Sequence, residues 1–131
     1  MGLDDYSGLS HLLPSPIDGT TLVKMPPDLL PGTLDLLVLR TLTRGPLHGY
    51  GIAQRVKQLS RDVLQVGESS LYPALQRLLL DGYVSAEWGS SENNRRARYY
   101  TLTAAGQKQL GAERREFERI VAAIQLVLAN A

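Results

Sequence analysis

The chain has 131 residues, a formal net charge of +1 and no cysteine, which leaves room for one domain with an arm or tail and excludes a disulfide framework. Its two histidines, His11 and His48, lie far apart, so a Cys/His zinc site within one chain is excluded too, and no cofactor is expected. Apolar runs such as Leu36 to Leu39 are too short to cross a bilayer, and Asp4 and Asp5 stand where a secretory signal would be positive, so a soluble, unexported, cytoplasmic protein without a membrane partner is expected.

Residues 1–31 hold four aspartates against Lys24 alone, a balance of −3, so residues 32–131 carry +4. Five of the seven prolines also fall there, which forbids a long helix or a central strand. An irregular arm is expected over 1–31, with Leu9, Leu12 and Leu13 able to form one short amphipathic turn. From Gly32 onward the pattern changes. Thr33 is placed to cap a first, largely buried helix through Leu34, Leu37, Val38 and Leu42, ended by Gly45-Pro46. Gly49, Ile52, Ala53, Val56 and Leu59 repeat by three and four in a second, amphipathic helix. Its small residues Gly49, Gly51 and Ala53 would allow close approach, and His48 just ahead of it suits a cap or a phosphate contact.

Asp62 to Val66 reads as a small strand or turn. A third helix is expected from Ser69 or Ser70, with Pro73 tolerated in its first turn and Asp81-Gly82 closing it. Leu71, Ala74, Leu75 and Leu78 cluster on one side, leaving Ser69, Tyr72, Pro73, Gln76, Arg77 and Leu80 on the other. Tyr83 to Trp88 and Arg98 to Leu102 alternate as a β-hairpin around a polar tip from Gly89 to Arg96. Thr103 then caps a last helix to about Leu128, on the order of 40 Å long, which overhangs so small a body.

Three helices, a β-hairpin and a long helix make a mainly α fold, a winged helix-turn-helix over 32–102 followed by a C-terminal dimerisation helix over 103–131. In that layout the third helix is the candidate reader of a major groove. Ser69, Tyr72, Gln76 and Arg77 can reach phosphates or base edges; the plainer alternative is an ordinary surface with Tyr72 at the core's edge. Arg95, Arg96 and Arg98, beside Asn93, Asn94 and Tyr99, would repel one another at a free hairpin tip, whereas a DNA backbone would neutralise them. The alternative is a solvated hairpin balanced by Glu87 and Glu92. Leu110, Phe117, Val121, Ile124 and Leu128 form a heptad-like stripe, interrupted by Arg114, that either pairs with a second copy or folds back on the first helix. Trp88, the sole tryptophan, is either a packing residue or the wall of a pocket for a planar, small hydrophobic effector. The glycines at 45, 49 and 51 lack a phosphate-loop lysine, and neither histidine sits in a nucleophile motif, so no enzyme is expected.

Several segments resemble the PadR family of bacterial transcriptional regulators. Leu30-Pro31-Gly32-Thr33-Leu34-Asp35-Leu36-Leu37-Val38-Leu39 is similar to the family's opening helix, and His48-Gly49-Tyr50-Gly51-Ile52 to the start of its second. Ser70-Leu71-Tyr72-Pro73-Ala74-Leu75 with Arg77-Leu78 resembles its recognition helix, and Tyr99-Tyr100-Thr101-Leu102-Thr103-Ala104-Ala105-Gly106 its second wing strand. Trp88-Gly89 with Ser91-Glu92-Asn93-Asn94-Arg95-Arg96-Ala97-Arg98 resembles an acidobacterial branch found beside membrane permease genes. The resemblance implies a homodimeric repressor with a short single-helix C-terminal region, whose recognition helices enter successive major grooves of a palindromic operator and block polymerase. Its DNA-binding set would be His48, Tyr50, Ser69, Ser70, Tyr72, Pro73, Gln76, Arg77, Asn94, Arg95, Arg96 and Arg98, with double-stranded DNA and a second copy as partners. Ser69-Ser70 departs from the Gly-Thr or Gly-Ser of many members. Met25-Pro26-Pro27-Asp28 resembles an ordinary family N-terminus, so Met25 is expected to be the native start, or residues 1–24 a lineage-specific addition. The main alternative function is a winged-helix module that docks proteins without specific DNA binding.

Overall fold

The computed structural model describes residues 23–24 and 32–130. In chain order the elements are β1 (Val23–Lys24), α1 (Thr33–Thr41), a 3-10 turn (Leu42–Arg44), β2 (Leu47–His48), α2 (Gly49–Leu59), β3 (Leu64–Gln65), α3 (Glu68–Leu80), β4 (Val84–Ser90), β5 (Arg96–Leu102) and α4 (Ala104–Asn130). This is the mainly helical fold with a small β-hairpin that the periodicities imply. β1, in the segment expected to be irregular, pairs in parallel with β3, Val23 opposite Leu64. The expected turn at Leu9, Leu12 and Leu13 lies outside the described residues, as do His11 and Met25.

Helix α1 is the hub, touching α2, α3 and α4. Val38 and Leu39 of α1, Ile52 of α2, Leu71, Leu75 and Leu78 of α3 and Val84 of β4 are fully buried in one core; of these, Val38, Ile52, Leu71, Leu75 and Leu78 are the ones that the three-and-four spacing places inward. The start of α1 differs from expectation. Gly32, not Thr33, is the N-cap, at φ 82°, a left-handed conformation glycine adopts without Cβ strain. Its carbonyl accepts the Leu36 N–H at 2.9 Å, and Thr33 turns inward as the first helical residue, its buried hydroxyl without a hydrogen-bond partner among the described residues. At the other end the Thr41 hydroxyl donates to the Val38 carbonyl and that of Thr43 to the Arg40 carbonyl, at 2.7 and 2.8 Å. Such back-bonding competes with the helical ladder, and the last turn tightens to 3-10 geometry.

Helix α3 begins one to two residues before the expected serine caps. Gly67 is the N-cap, and its carbonyl takes the Ser70 and Leu71 N–H groups at 3.2 and 2.9 Å. Pro73 is therefore the sixth helical residue, beyond the first turn; the N–H it lacks is the one that would have bonded the carbonyl of Ser69, an exposed residue. The helix closes as expected at Asp81-Gly82. There the Gly82 and Tyr83 N–H groups return to the Leu79 and Leu78 carbonyls at 3.1 and 2.9 Å.

The sheet has the order β2-β5-β4, antiparallel throughout. β2 was not foreseen; it is two residues long, with Leu47 opposite Tyr100 and His48 opposite Tyr99. The hairpin strands run further than expected, through Gly89-Ser90 and from Arg96-Ala97. The turn shrinks to Ser91–Arg95, closed by the Ser91 N–H to the Arg95 carbonyl at 2.7 Å, with Asn94 at φ 57°. Thr103 caps α4 as expected: its hydroxyl accepts the Gly106 N–H at 3.0 Å and donates to the Gly82 carbonyl at 2.7 Å, which ties α4 to the end of α3.

Candidate nucleic-acid interface

With four side chains of α3 in the core, the helical period leaves Ser69, Tyr72, Pro73, Gln76 and Arg77 exposed, and Ser70 half-buried. Tyr72, 47% exposed, lies across the start of α2. A Cβ at position 49 would stand 2.8 Å from its hydroxyl, so Gly49 is what admits the ring. Burial first, then the Glu68 carboxylate and Tyr100, push the Tyr72 phenol above its ordinary range. Arg77 reaches back to α1, its Nη2 3.2 Å from Asp35 Oδ1. That pair joins α3 to α1 at the surface, and the Arg77 side chain is still 58% exposed.

His48 is the N-cap of α2. Its Nδ1 accepts the Gly51 N–H at 2.9 Å, which fixes the proton on Nε2, 3.4 Å from Glu92 Oε1 at the hairpin tip. The imidazole is thus committed to a cap and a tether to the wing, the first of its two expected roles. Glu92 sits below the usual carboxylate range, first through a hydrogen bond to its own backbone and then through His48. Tyr50, on the first turn of α2, is exposed, its hydroxyl accepting from Gln54 Nε2 at 2.9 Å.

Strand alternation divides the hairpin into two faces. Val84, Ala86 and Trp88 share one with Leu102, Tyr100, Arg98 and Arg96. At its base this face is core, with Val84 and Tyr100 buried; past the body it emerges as Trp88 and the two arginines. The other face carries Tyr99, whose ring lies 3.2 Å from where a Cβ of Gly89 would be. Tyr99 donates to the Ser90 carbonyl at 2.8 Å and has its ring centroid 5.2 Å from that of His48. Gly89 and Ser90 therefore belong to the strand rather than the turn because a cross-strand aromatic covers the glycine. Asn94 and Arg95 stand exposed at the tip.

Between the wing and the start of α2 opens a crevice of about 450 Å³ that brings His48, Tyr50, Tyr72, Trp88, Arg96 and Arg98 together. Ser69, Ser70, Pro73, Gln76 and Arg77 lie outside it along α3, and Asn94 and Arg95 outside it at the tip. Gly49 and Glu92 also line it and were not among the expected DNA-binding residues; Trp88, likewise outside that set, takes the pocket-wall position that was one of its two readings. The small residue at 49 and the alternation Val84, Ala86, Trp88 were the available signals.

The stripe on α4 is divided. Leu110, expected at a dimer contact, is 6% exposed and belongs to the chain's own core, because the first half of α4 packs on α1. That removes it from any surface a second copy could cover. Phe117 and Val121 are half-buried. Ile124 and Leu128 are 44% and 75% exposed, next to exposed Leu126 and Val127. Arg114, the interruption, points outward and pairs with Glu118 at 3.3 Å. No described helix is long and apolar enough to cross a membrane.

A helix positioned by a second helix and flanked by a basic β-hairpin is the winged helix-turn-helix architecture of transcriptional regulators. Residues 38–112 match the model of the transcriptional regulator PadR-like family, and the chain belongs to that family. A transcriptional regulator from Clostridium thermocellum is 28% identical, over 75% of this chain and 95% of its own, with a TM-score of 0.67. Bacillus subtilis PadR in complex with operator DNA is 26% identical over 60% of this chain and 45% of its own, TM-score 0.54. Protein X of Lysinibacillus sphaericus is 27% identical over 77% of this chain and 93% of its own length.

Proposed function

We propose that the protein is a sequence-specific DNA-binding repressor, acting in the cytoplasm as a homodimer on a palindromic operator. Residues 32–102 hold the duplex and 103–131 supply the dimerisation helix. The observation that carries this is the geometry around the crevice. A rigidly anchored α3 with a neutral, hydrogen-bonding outer face stands beside a hairpin whose emergent face is arginine. Arg95, Arg96 and Arg98 supply affinity for phosphate, with Arg77, whose exposed edge remains available; Ser69, Tyr72 and Gln76 bear on base choice. Ser70, Pro73, His48 and Tyr50 shape or border the groove-facing end, and Asn94 extends the tip. The complex of the B. subtilis relative with its operator supports DNA as the partner.

The exposed end of α4, Ile124 to Leu128, supports pairing with a second copy, as a single helix end of that polarity otherwise faces water. The wing sequence supports placement in the acidobacterial-type branch. The crevice falls within the roughly 300–1,000 Å³ of small-ligand sites, which supports a small hydrophobic effector, although its arginines favour an anionic partner. Protein docking without DNA remains the rival.

Titration of the purified protein against its own upstream region and against a random duplex of equal length, over a range of salt, separates the two. Repressor function predicts tight, operator-preferring binding that weakens steeply with salt. Weak binding that ignores both salt and sequence would favour the protein-docking role.

A further inference from the structure

Trp88 is 58% exposed, on the half of β4 that has left the body. So placed, it adds little to the core. It is instead covered by cations: the Arg96 guanidinium carbon is 4.3 Å from a ring centroid and that of Arg98 5.9 Å. The register explains both contacts, for Arg98 is directly opposite Trp88 and Arg96 is its diagonal neighbour on the same face. Behind them the strand is stiffened by Tyr99 on Gly89 and by the Tyr99 hydroxyl on the Ser90 carbonyl. The indole thus stands on a strand held in register, with both guanidinium groups against its face.

We infer that Trp88 is a positioning residue for the wing: its indole holds Arg96, and more loosely Arg98, in the orientation in which they meet a DNA backbone. The inference rests on the DNA-binding function proposed above. A free arginine has many rotamers to lose on contact, and two neighbouring guanidinium groups repel. A ring face attracts each cation and restricts it before DNA arrives, so less ordering is left for the binding step.

This role makes a prediction that a purely structural tryptophan would not. Trp88→Ala leaves the number of phosphates neutralised unchanged, so affinity for duplex falls about two- to fivefold per wing while the slope of log K against log salt stays as in the wild type. Arg96→Ala, in contrast, removes a phosphate contact and lowers the slope by about 0.9 per wing. Trp88→Phe, which keeps a ring face, restores most of the lost affinity. In the Arg96→Ala, Arg98→Ala background, Trp88→Ala has no further effect, because its partners are gone.

As Trp88 is the sole tryptophan, its emission reports the stack directly, and Arg96→Ala should change it without any DNA. The experiment is a fluorescence and salt-titration series on the full chain with a random-sequence duplex, with thermal unfolding run on each variant. A Trp88→Ala protein that unfolds at the wild-type temperature and binds as tightly as the wild type would overturn the inference. So would additive losses in the combined variant. Failure of the underlying DNA-binding function would look different, since the wild type itself would then bind no duplex.

Discussion

Helix α3 and the wing are built on opposite plans. α3 is fastened along its length by Leu71, Ala74, Leu75 and Leu78, with Arg77 pinned to Asp35 at its far end, and its outer face is nearly neutral. The hairpin is fastened at its base by Val84 and Tyr100 and tethered at its tip by Glu92 to His48, and its emergent face is cationic. A reader of base edges needs fixed geometry, because hydrogen bonds are directional; a binder of phosphates needs charge, because Coulomb attraction tolerates small displacements. Under the function proposed above, one fold would place rigidity where specificity is needed and charge where affinity is.

Disabling either plan should have its own signature. The largest effects come from the framework. Leu75→Ala empties a fully buried site in α3 and should cost about 2–5 kcal/mol of stability by chemical denaturation; a loss under about 1 kcal/mol would mean α3 is not held as described. Leu128→Asp alters an exposed residue outside the monomer's core. It should leave folding intact, give a monomer in sedimentation, and weaken operator binding about a hundredfold or more, since one half-site lacks the help of its linked partner. A persisting dimer would move the interface elsewhere.

Smaller effects should separate α3 from the wing. Gln76→Ala should narrow the preference for operator over random DNA by about 1–3 kcal/mol with little change in salt slope, whereas Arg96→Ala should weaken binding to all DNA and flatten that slope. If the two variants behaved alike, the division of labour would be wrong. The smallest effect concerns the tip tether. Glu92 is held below its ordinary range in the folded state. Its contribution is therefore complete above its unfolded value and is lost as pH falls through the lower folded value. Glu92→Gln should remove that acid-side loss, read as hydrogen exchange at the wing tip.

The sequence made the long elements plain and the short or non-local ones obscure. Helices α2 and α3 each bury enough side chains for a three-and-four rhythm; α4 buries only Gly106 and Leu110 but carries the same rhythm into its exposed end, and Thr103 announces it because its hydroxyl acts locally. β2 spans two residues, too few for any alternation. Two good serine caps hid the start of α3, since Gly67 offers only a backbone carbonyl. Gly89 and Ser90 read as turn residues because the ring that covers them sits on the other strand, at Tyr99. Arg77 looked free because its partner, Asp35, is 42 positions away. Leu110 and Leu128 carry the same periodicity, and nothing local says that one is covered by its own chain and the other exposed. The outward residues of α3 could be named from the sequence. The meeting of Trp88 with Arg96 depended on a strand register fixed only by the complete hairpin.

The most direct test is selection of bound fragments from the source genome by the purified protein at moderate salt, followed by protection mapping. Two copies of one fold presenting α3 to the duplex should enrich a two-fold symmetric sequence, its half-sites about one helical turn apart, near 34 Å centre to centre, with protection extending to flanking backbone under the wings. Recovery of fragments with no shared sequence, or none at all once salt is raised slightly, would contradict the account.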